Sequence, residues 1–231
     1  MFKGVIFDID GTLYSYMAND KVALKSLCQF AEKNLAVDEK KFLKAYFEAR
    51  RIVKERLTDG GSRHSRVLFF QTTLELLGKN SFLYMGEMYD CYWNNFLNGM
   101  QAFEGAAEFI HKLRANGVKT ALCTDMTTQI QYRKINRLGF SKFFDFMVSS
   151  EETGREKPSP VMFELALKKM KVNANETAYF GDSLERDIEG AANVGITPFW
   201  YIGERDVEST DVDCVKFRSY SEVINSDFFF N

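Results

Sequence analysis

The sequence predicts an α/β protein, a parallel, doubly wound, Rossmann-like sheet core with an inserted α-helical cap domain. Three patterns carry this. Short apolar runs without polar alternation, the signature of strands buried on both faces, occur at the N-terminus and recur after about residue 103. Amphipathic segments separate the later runs, and strand-helix-strand alternation builds a parallel sheet with right-handed crossovers. Between these regions, residues 16–98 show helical periodicity and no good strand.

Gly4-Val5-Ile6-Phe7 is the first strand, although periodicity alone does not separate it from a short buried helix. In the helical region Phe42, Ala45, Tyr46, Ala49 and Val53 share one face, as do Val67, Phe70, Leu74 and Leu77 before Gly78. Asp59-Gly60-Gly61-Ser62 reads as a helix stop followed by a cap for the next helix. Strands are then expected at 118–123, 146–148, 178–180 and 198–202, with a sixth at 214–217 and a last helical turn at 221–224. Gly117, Gly139 and Gly195 close the intervening helices, and Pro160 opens one. The first strand belongs with the C-terminal half, so residues 1–15 and 99–231 form one α/β core and residues 16–98 the cap. A lid rooted there excludes water and carries specificity; the bland alternative is a passive appendage.

Composition narrows the chemistry. A net charge of −2, with Lys and Arg scattered, leaves no electrostatic footprint for nucleic acid. No segment has the continuous apolar length of a membrane span, and the N-terminus lacks the pattern of an export signal, so a cytoplasmic protein is expected. Cys28, Cys91, Cys123 and Cys214 are far apart with no Cys-x-x-Cys pair, which reads as reduced, packed thiols. His64 and His111 are the only histidines, and neither stands beside a nucleophile motif. Carboxylates must therefore carry the acid chemistry.

They stand at strand ends. Asp8 and Asp10 follow the first strand two residues apart, so their side chains project the same way, into the crevice beyond the strand. Two close carboxylates repel, and a hard cation such as Mg²⁺ relieves them. Asp and Gly are also ordinary turn formers, so this hexapeptide alone leaves a solvated turn equally open. Thr124-Asp125 ends another strand, where hydroxyl and helix amides suit an anionic oxygen or simply cap a helix. Lys157 precedes a helix, where an ammonium can neutralise a phosphate, although most lysines are only solvated. Gly181-Asp182-Ser183 follows a further apolar strand, with Asp187 five residues beyond Asp182. Asp182 is placed to complete a metal site with Asp8, while Asp187 either orients Lys157 or metal-bound water or answers the helix macrodipole.

Asp8-Ile9-Asp10-Gly11-Thr12-Leu13, Thr124, Lys157-Pro158 and Gly181-Asp182-Ser183 with Asp187 together resemble the four ordered motifs of the haloacid dehalogenase superfamily. The helical insertion between the first two motifs resembles members with a helical cap, among them many small-molecule phosphatases. The resemblance implies that Asp8 attacks phosphorus and that Asp10 serves as general acid, then base. It implies Mg²⁺ on the Asp8 carboxylate, the main-chain carbonyl of Asp10 and the Asp182 carboxylate, with Ser183 and Asp187 behind them. Thr124, Asp125 and Lys157 would hold phosphoryl oxygens. Dehalogenating members lack an aspartate at the place of Asp10, so its presence points to phosphoryl transfer.

Arg63, His64 and Arg66 in the cap loop suit a second polar or anionic group of the substrate, or else are surface charge. The expectation is a Mg²⁺-dependent phosphatase acting on a small phosphorylated metabolite, as a monomer or homodimer, with no nucleic-acid or membrane partner. The alternatives are a phosphomutase of the same capped family and, less favoured, a non-catalytic phospho-ligand binding protein.

Overall fold

Six strands, Gly4–Phe7 (β1), Lys119–Thr124 (β2), Phe146–Ser149 (β3), Thr177–Gly181 (β4), Thr197–Tyr201 (β5) and Val215–Phe217 (β6), form one sheet in the computed structural model, which describes residues 2–207 and 210–230. All are parallel, in the order β3-β2-β1-β4-β5-β6. The α/β, doubly wound architecture is thus present, and the strand order reverses between β1 and β4.

Successive side chains on β1 serve opposite faces. Val5 and Phe7 join one core with Phe109, Phe180 and Phe199, while Ile6 joins another with Ala121, Val148, Phe163 and Tyr179. Both faces are buried, which is why the strands read as continuous apolar runs. Phe7, Phe180 and Phe199 stack in sequence across three adjacent strands, with ring centroids 5.0 and 4.7 Å apart. Phe229, near the C-terminus, is buried against Phe2, Phe109 and Phe199 and belongs to this core. All four cysteines are free thiols. No helix among the described residues is long and apolar enough to cross a membrane.

Residues 16–98, after β1, hold four α-helices among the described residues: Tyr16–Phe30 (α1), Glu39–Arg56 (α2), Arg66–Leu76 (α3) and Ser81–Asn98 (α4). Each opens on a side-chain cap. Ser15, Asp38, Ser65 and Asn80 accept from the N–H groups of Ala18, Lys41, Leu68 and Phe82. α1 packs on α4 and α2 on α3, around Tyr46, Phe70, Tyr92, Trp93 and Phe96. The cap of α3 is Ser65 and not Ser62, because a 3₁₀ turn over Gly61–His64 intervenes.

The remaining helices are Ala106–Ala115 (α5), Thr128–Arg137 (α6), Ser150–Thr153 (α7), Pro160–Met170 (α8), Gly190–Asn193 (α9) and Tyr220–Ile224 (α10). A π-helical turn over Leu184–Glu189 leads into α9.

Candidate active site

Asp8 follows β1 and Asp182 follows β4, on the two sides of the reversal in strand order. In open α/β sheets the crevice at this point, beyond the carboxyl ends of the strands, is where ligands bind. Phe7 is in register with Leu122 and Phe180, and the Asp8 N–H donates to the Phe180 carbonyl at 2.8 Å. That register brings the segments beginning at Asp8, Thr124 and Asp182 to one end of the sheet. They line a cleft of about 1020 Å³ together with Lys157.

Two glycines permit the carboxylates to crowd there. Gly11 has φ +92°, and a Cβ on it would stand 2.5 Å from an Asp182 carboxylate oxygen. A Cβ on Gly181 would stand 2.3 Å from the Asp187 Cβ. Any side chain at either position displaces an acid of the site. The Asp182 main chain is itself held, its carbonyl accepting from Trp200 Nε1 at 3.0 Å and from Arg205 at 3.1 Å.

Lys157 is buried and donates to Asp8 Oδ1 at 2.7 Å, to Asp187 Oδ1 at 2.7 Å and to the Tyr179 hydroxyl at 3.2 Å. An ammonium offers three donors, and all three are used. Asp187 is engaged at both oxygens: Oδ1 accepts from Lys157 and Tyr179, and Oδ2 accepts from the Ser183 N–H at 3.0 Å. Its carboxylate orients the lysine. Asp125 Oδ1 accepts from the Lys157 N–H at 3.0 Å, which ties the loop after β2 to the loop before α8.

Burial pushes the Asp8 carboxyl up to about 8, with Lys157 opposing and the charges of Asp187, Asp10 and Asp182 adding to the rise. Asp182 is pushed up to about 6 by burial and by Asp187, against Arg205 and Lys157. Burial disfavours the charged Lys157, but Asp187 and Asp8 outweigh it and hold the ammonium well above the ordinary lysine range. The site thus carries an excess of negative charge. Oxygens of Asp8, Asp182 and Asp187 lie within 4.8 Å of one another. Asp187 is engaged at both oxygens by Lys157, Tyr179 and Ser183, which leaves Asp8 and Asp182 the more open ligands for a hard, oxygen-seeking dication, and such an ion fits both the donor set and the charge.

Asp10 faces a different set of partners. Lys134 Nζ donates to both carboxylate oxygens at 2.7 Å, Gln131 Nε2 donates to Oδ2 at 3.2 Å, and the Tyr14 hydroxyl donates to Oδ1. Burial pushes the Asp10 carboxyl up, but the charge and hydrogen bonds of Lys134, with those of Tyr14 and Gln131, outweigh it and leave the group below the usual carboxylate range. Lys134 is completely buried, and its ammonium lies 5.5 to 5.8 Å from the rings of Tyr16, Trp93 and Phe96. Gln131 also donates to Thr124 Oγ1 at 2.7 Å, fixing that hydroxyl.

The structure gathers Asp8, Asp10, Thr124, Asp125, Lys157, Asp182, Ser183 and Asp187 around one cleft. Arg66 also lines it, buried, with its guanidinium against the rings of Phe69, Tyr92 and Trp93 and donating to the Tyr16 hydroxyl. Arg63 is placed otherwise. Its guanidinium pairs with Glu156 at 3.1 Å, a carboxylate that also lies 2.7 Å from His64 Nε2. With Asp59, which accepts from the Glu156 N–H at 2.7 Å and pairs with Arg155 at 3.2 Å, these residues fasten the loop before α3 to the loop before α8.

A family model described as a haloacid dehalogenase-like hydrolase matches residues 2–195. The chain is a haloacid dehalogenase-like hydrolase. The ribulose-1,5-bisphosphate 5-phosphatase of Halopiger xanaduensis is 35% identical to it over 216 residues, 91% of this chain and 89% of that one. A glyceraldehyde 3-phosphate phosphatase of Methanocaldococcus jannaschii is 29% identical over 97% of this chain and 96% of its own. Among solved structures, a 2-haloacid dehalogenase from Pseudomonas syringae superimposes with TM-score 0.76 at 22% identity, covering 97% of each chain. The HAD phosphatase from Thermococcus onnurineus superimposes with TM-score 0.72, also at 22% identity, over 96% of this chain and 95% of that one. These two share its fold.

In this haloacid dehalogenase-like hydrolase, Tyr14, Gln131, Lys134 and Tyr179 are site residues that the motifs do not point to. A signal for two of them exists. Gln131 and Lys134 share with Ile135 and Leu138 the i, i+3, i+4, i+7 stripe of α6 that reads as its buried face. A lysine in such a stripe requires a buried anion.

Proposed function

We propose that this hydrolase is a Mg²⁺-dependent phosphatase that releases phosphate from a small phosphorylated metabolite through an aspartyl phosphate on Asp8. The observation that carries this is the state of the Asp8 carboxylate: one oxygen is engaged by Lys157, the other accepts no hydrogen bond among the described residues, and the whole opens on the cleft. The free oxygen is the nucleophile for phosphorus. Lys157 restrains the attacking carboxylate and offers positive charge to the incoming phosphoryl oxygens, with Thr124, which also lines the cleft, holding another. Positioning and charge do most of the work in such a transfer.

Mg²⁺ would be held by the Asp8 and Asp182 carboxylates and the Asp10 carbonyl, and it would supply charge neutralisation between the acids and the phosphoryl group. Asp10 takes a proton from the water that attacks the aspartyl phosphate, and the acid so formed gives that same proton to the departing oxygen of the next substrate, which closes the proton balance over the cycle. The arrangement with Lys134, Tyr14 and Gln131 stabilises the ionised form, the form that acts as base. Residues 16–98 act as a cap over the core of residues 1–15 and 99–231, sealing the cleft through Asp59, Arg63 and Glu156.

The relatives named for ribulose 1,5-bisphosphate and glyceraldehyde 3-phosphate support a short sugar phosphate as substrate class. A panel of phosphorylated metabolites containing both, assayed for phosphate release with Mg²⁺ and again with EDTA, tests the reading. Mg²⁺-dependent release from at least one member is expected. Isomerisation without free phosphate, or no turnover across the panel, would contradict it.

A further inference from the structure

We infer that the cleft holds a second phosphate-binding subsite, formed by Arg50 and Lys54 of the cap with Arg186 of the core, so that the substrate is a bisphosphate with one phosphate at Asp8 and the other on these cations. The inference deepens the phosphatase reading and rests on it for which phosphate reacts. Its basis is a contrast within one helix. On α2, Arg51 is exposed and fully answered, with Glu48 at 2.6 Å and Glu55 at 2.6 Å. Arg50 and Lys54, one turn apart on the side that lines the cleft, have no acidic partner among the described residues. Like charges at i, i+4 destabilise a helix, so the sequence places here a repulsion that it neutralises next door.

The surroundings sharpen this. Burial pushes the Lys54 ammonium below the ordinary lysine range, and the four charges that add to it are all arginines, Arg50, Arg63, Arg186 and Arg66. Arg63 and Arg66 are occupied, by Glu156 and by the Tyr16 hydroxyl. Arg186 also lines the cleft and has only a loose contact with Asp125, at 3.7 Å. Arg50 keeps its guanidinium over the rings of Tyr46 and Phe69, 5.7 and 5.8 Å from their centroids, which fixes a fork of donors suited to phosphate. Arg50 and Lys54, without an acidic partner among the described residues, and Arg186, held by Asp125 only at 3.7 Å, line the cavity that contains the nucleophile and define a place for a dianion.

The test uses the full chain carrying Asp8→Asn, which cannot turn over, with Mg²⁺ present. Calorimetry compares α,ω-alkanediol bisphosphates of three to six carbons with alkyl monophosphates of the same lengths. The best bisphosphate should bind about 10- to 100-fold more tightly than its monophosphate, the range for hydrogen bonds to charged groups. Adding Lys54→Met, or independently Arg50→Met, should reduce that ratio to about threefold or less. Equal affinities for the two series, or a ratio that survives both substitutions, overturns the subsite. Should the ratio hold and respond to Lys54→Met while the unsubstituted protein hydrolyses no bisphosphate or monophosphate, the subsite stands and the phosphatase reading fails.

Discussion

Lys134 Nζ sits 2.7 Å from both carboxylate oxygens of Asp10, although the two residues are 124 positions apart in the chain. The ammonium is completely buried and also touches the Met126 sulfur at 3.3 Å. Met126 itself holds φ +133°, with its N–H donating to Ser150 Oγ at 3.0 Å. The general acid-base candidate, the loop after β2 and the aromatic cluster of α4 therefore meet on one lysine.

Removing that lysine leaves an unpaired buried carboxylate. Lys134→Met is expected to lower stability by about 3–5 kcal/mol at neutral pH, as for other broken buried pairs. Asp10→Asn added to it should recover part of the loss, which urea unfolding of the two single variants and the double variant measures as a coupling energy. Purely additive losses would mean that the pair does not act as a unit.

Gly11→Ala places a Cβ 2.5 Å from the Asp182 carboxylate at a backbone φ of +92°. The strain is expected to cost about 1–3 kcal/mol, and displacement of Asp182 should raise the Mg²⁺ concentration needed for half-maximal phosphate release at least tenfold. A variant with unchanged Mg²⁺ dependence would show that Asp182 does not depend on this close approach.

Mg²⁺ binding is expected to stabilise the folded chain, by about 2.7 kcal/mol at a hundredfold excess over its dissociation constant. Calorimetric scans with Mg²⁺ and with EDTA should differ for the unsubstituted protein and coincide for Asp182→Asn. A metal-induced shift that persists in Asp182→Asn would place the ion elsewhere.

The fastening of the cap loop has a pH signature. Burial pushes Glu156 up, but His64 and Arg63 outweigh it and hold the carboxyl below its ordinary 4.5. A carboxylate depressed on folding contributes stability that is present above the unfolded value and is lost as pH falls through the folded one. Glu156→Gln should therefore be less stable than the unsubstituted protein at pH above 4.5, with the difference shrinking as the pH drops below it. Melting temperatures of the two proteins across this range provide the check, and a pH-independent difference would remove Glu156 as the cause.

The sheet and the acids at its strand ends are legible in the sequence because each is a local pattern: an apolar run, a glycine, a carboxylate. Phe7 followed by Asp8, and Phe180 followed by Gly181-Asp182, show this. What the sequence hides is which distant charges meet. The stripe of α6 marks Lys134 as inward-facing, but nothing local names Asp10, 124 positions away, as its partner. Arg63 and Arg66 read alike, yet one is taken by Glu156 and the other packs against aromatic rings within the cleft. Arg50 and Lys54 acquire meaning only from what they lack, and an absent partner is a property of three dimensions.

The central claim is that phosphorus passes through Asp8. Acid-quenching the enzyme within a single turnover of a radiolabelled substrate, followed by peptide mapping, tests it most directly. The account predicts one hydroxylamine-labile phosphoryl group on the peptide containing Asp8, absent from Asp8→Asn. Turnover at the normal rate with no enzyme-bound phosphoryl group at any quench time, or with the label on another residue, would contradict it.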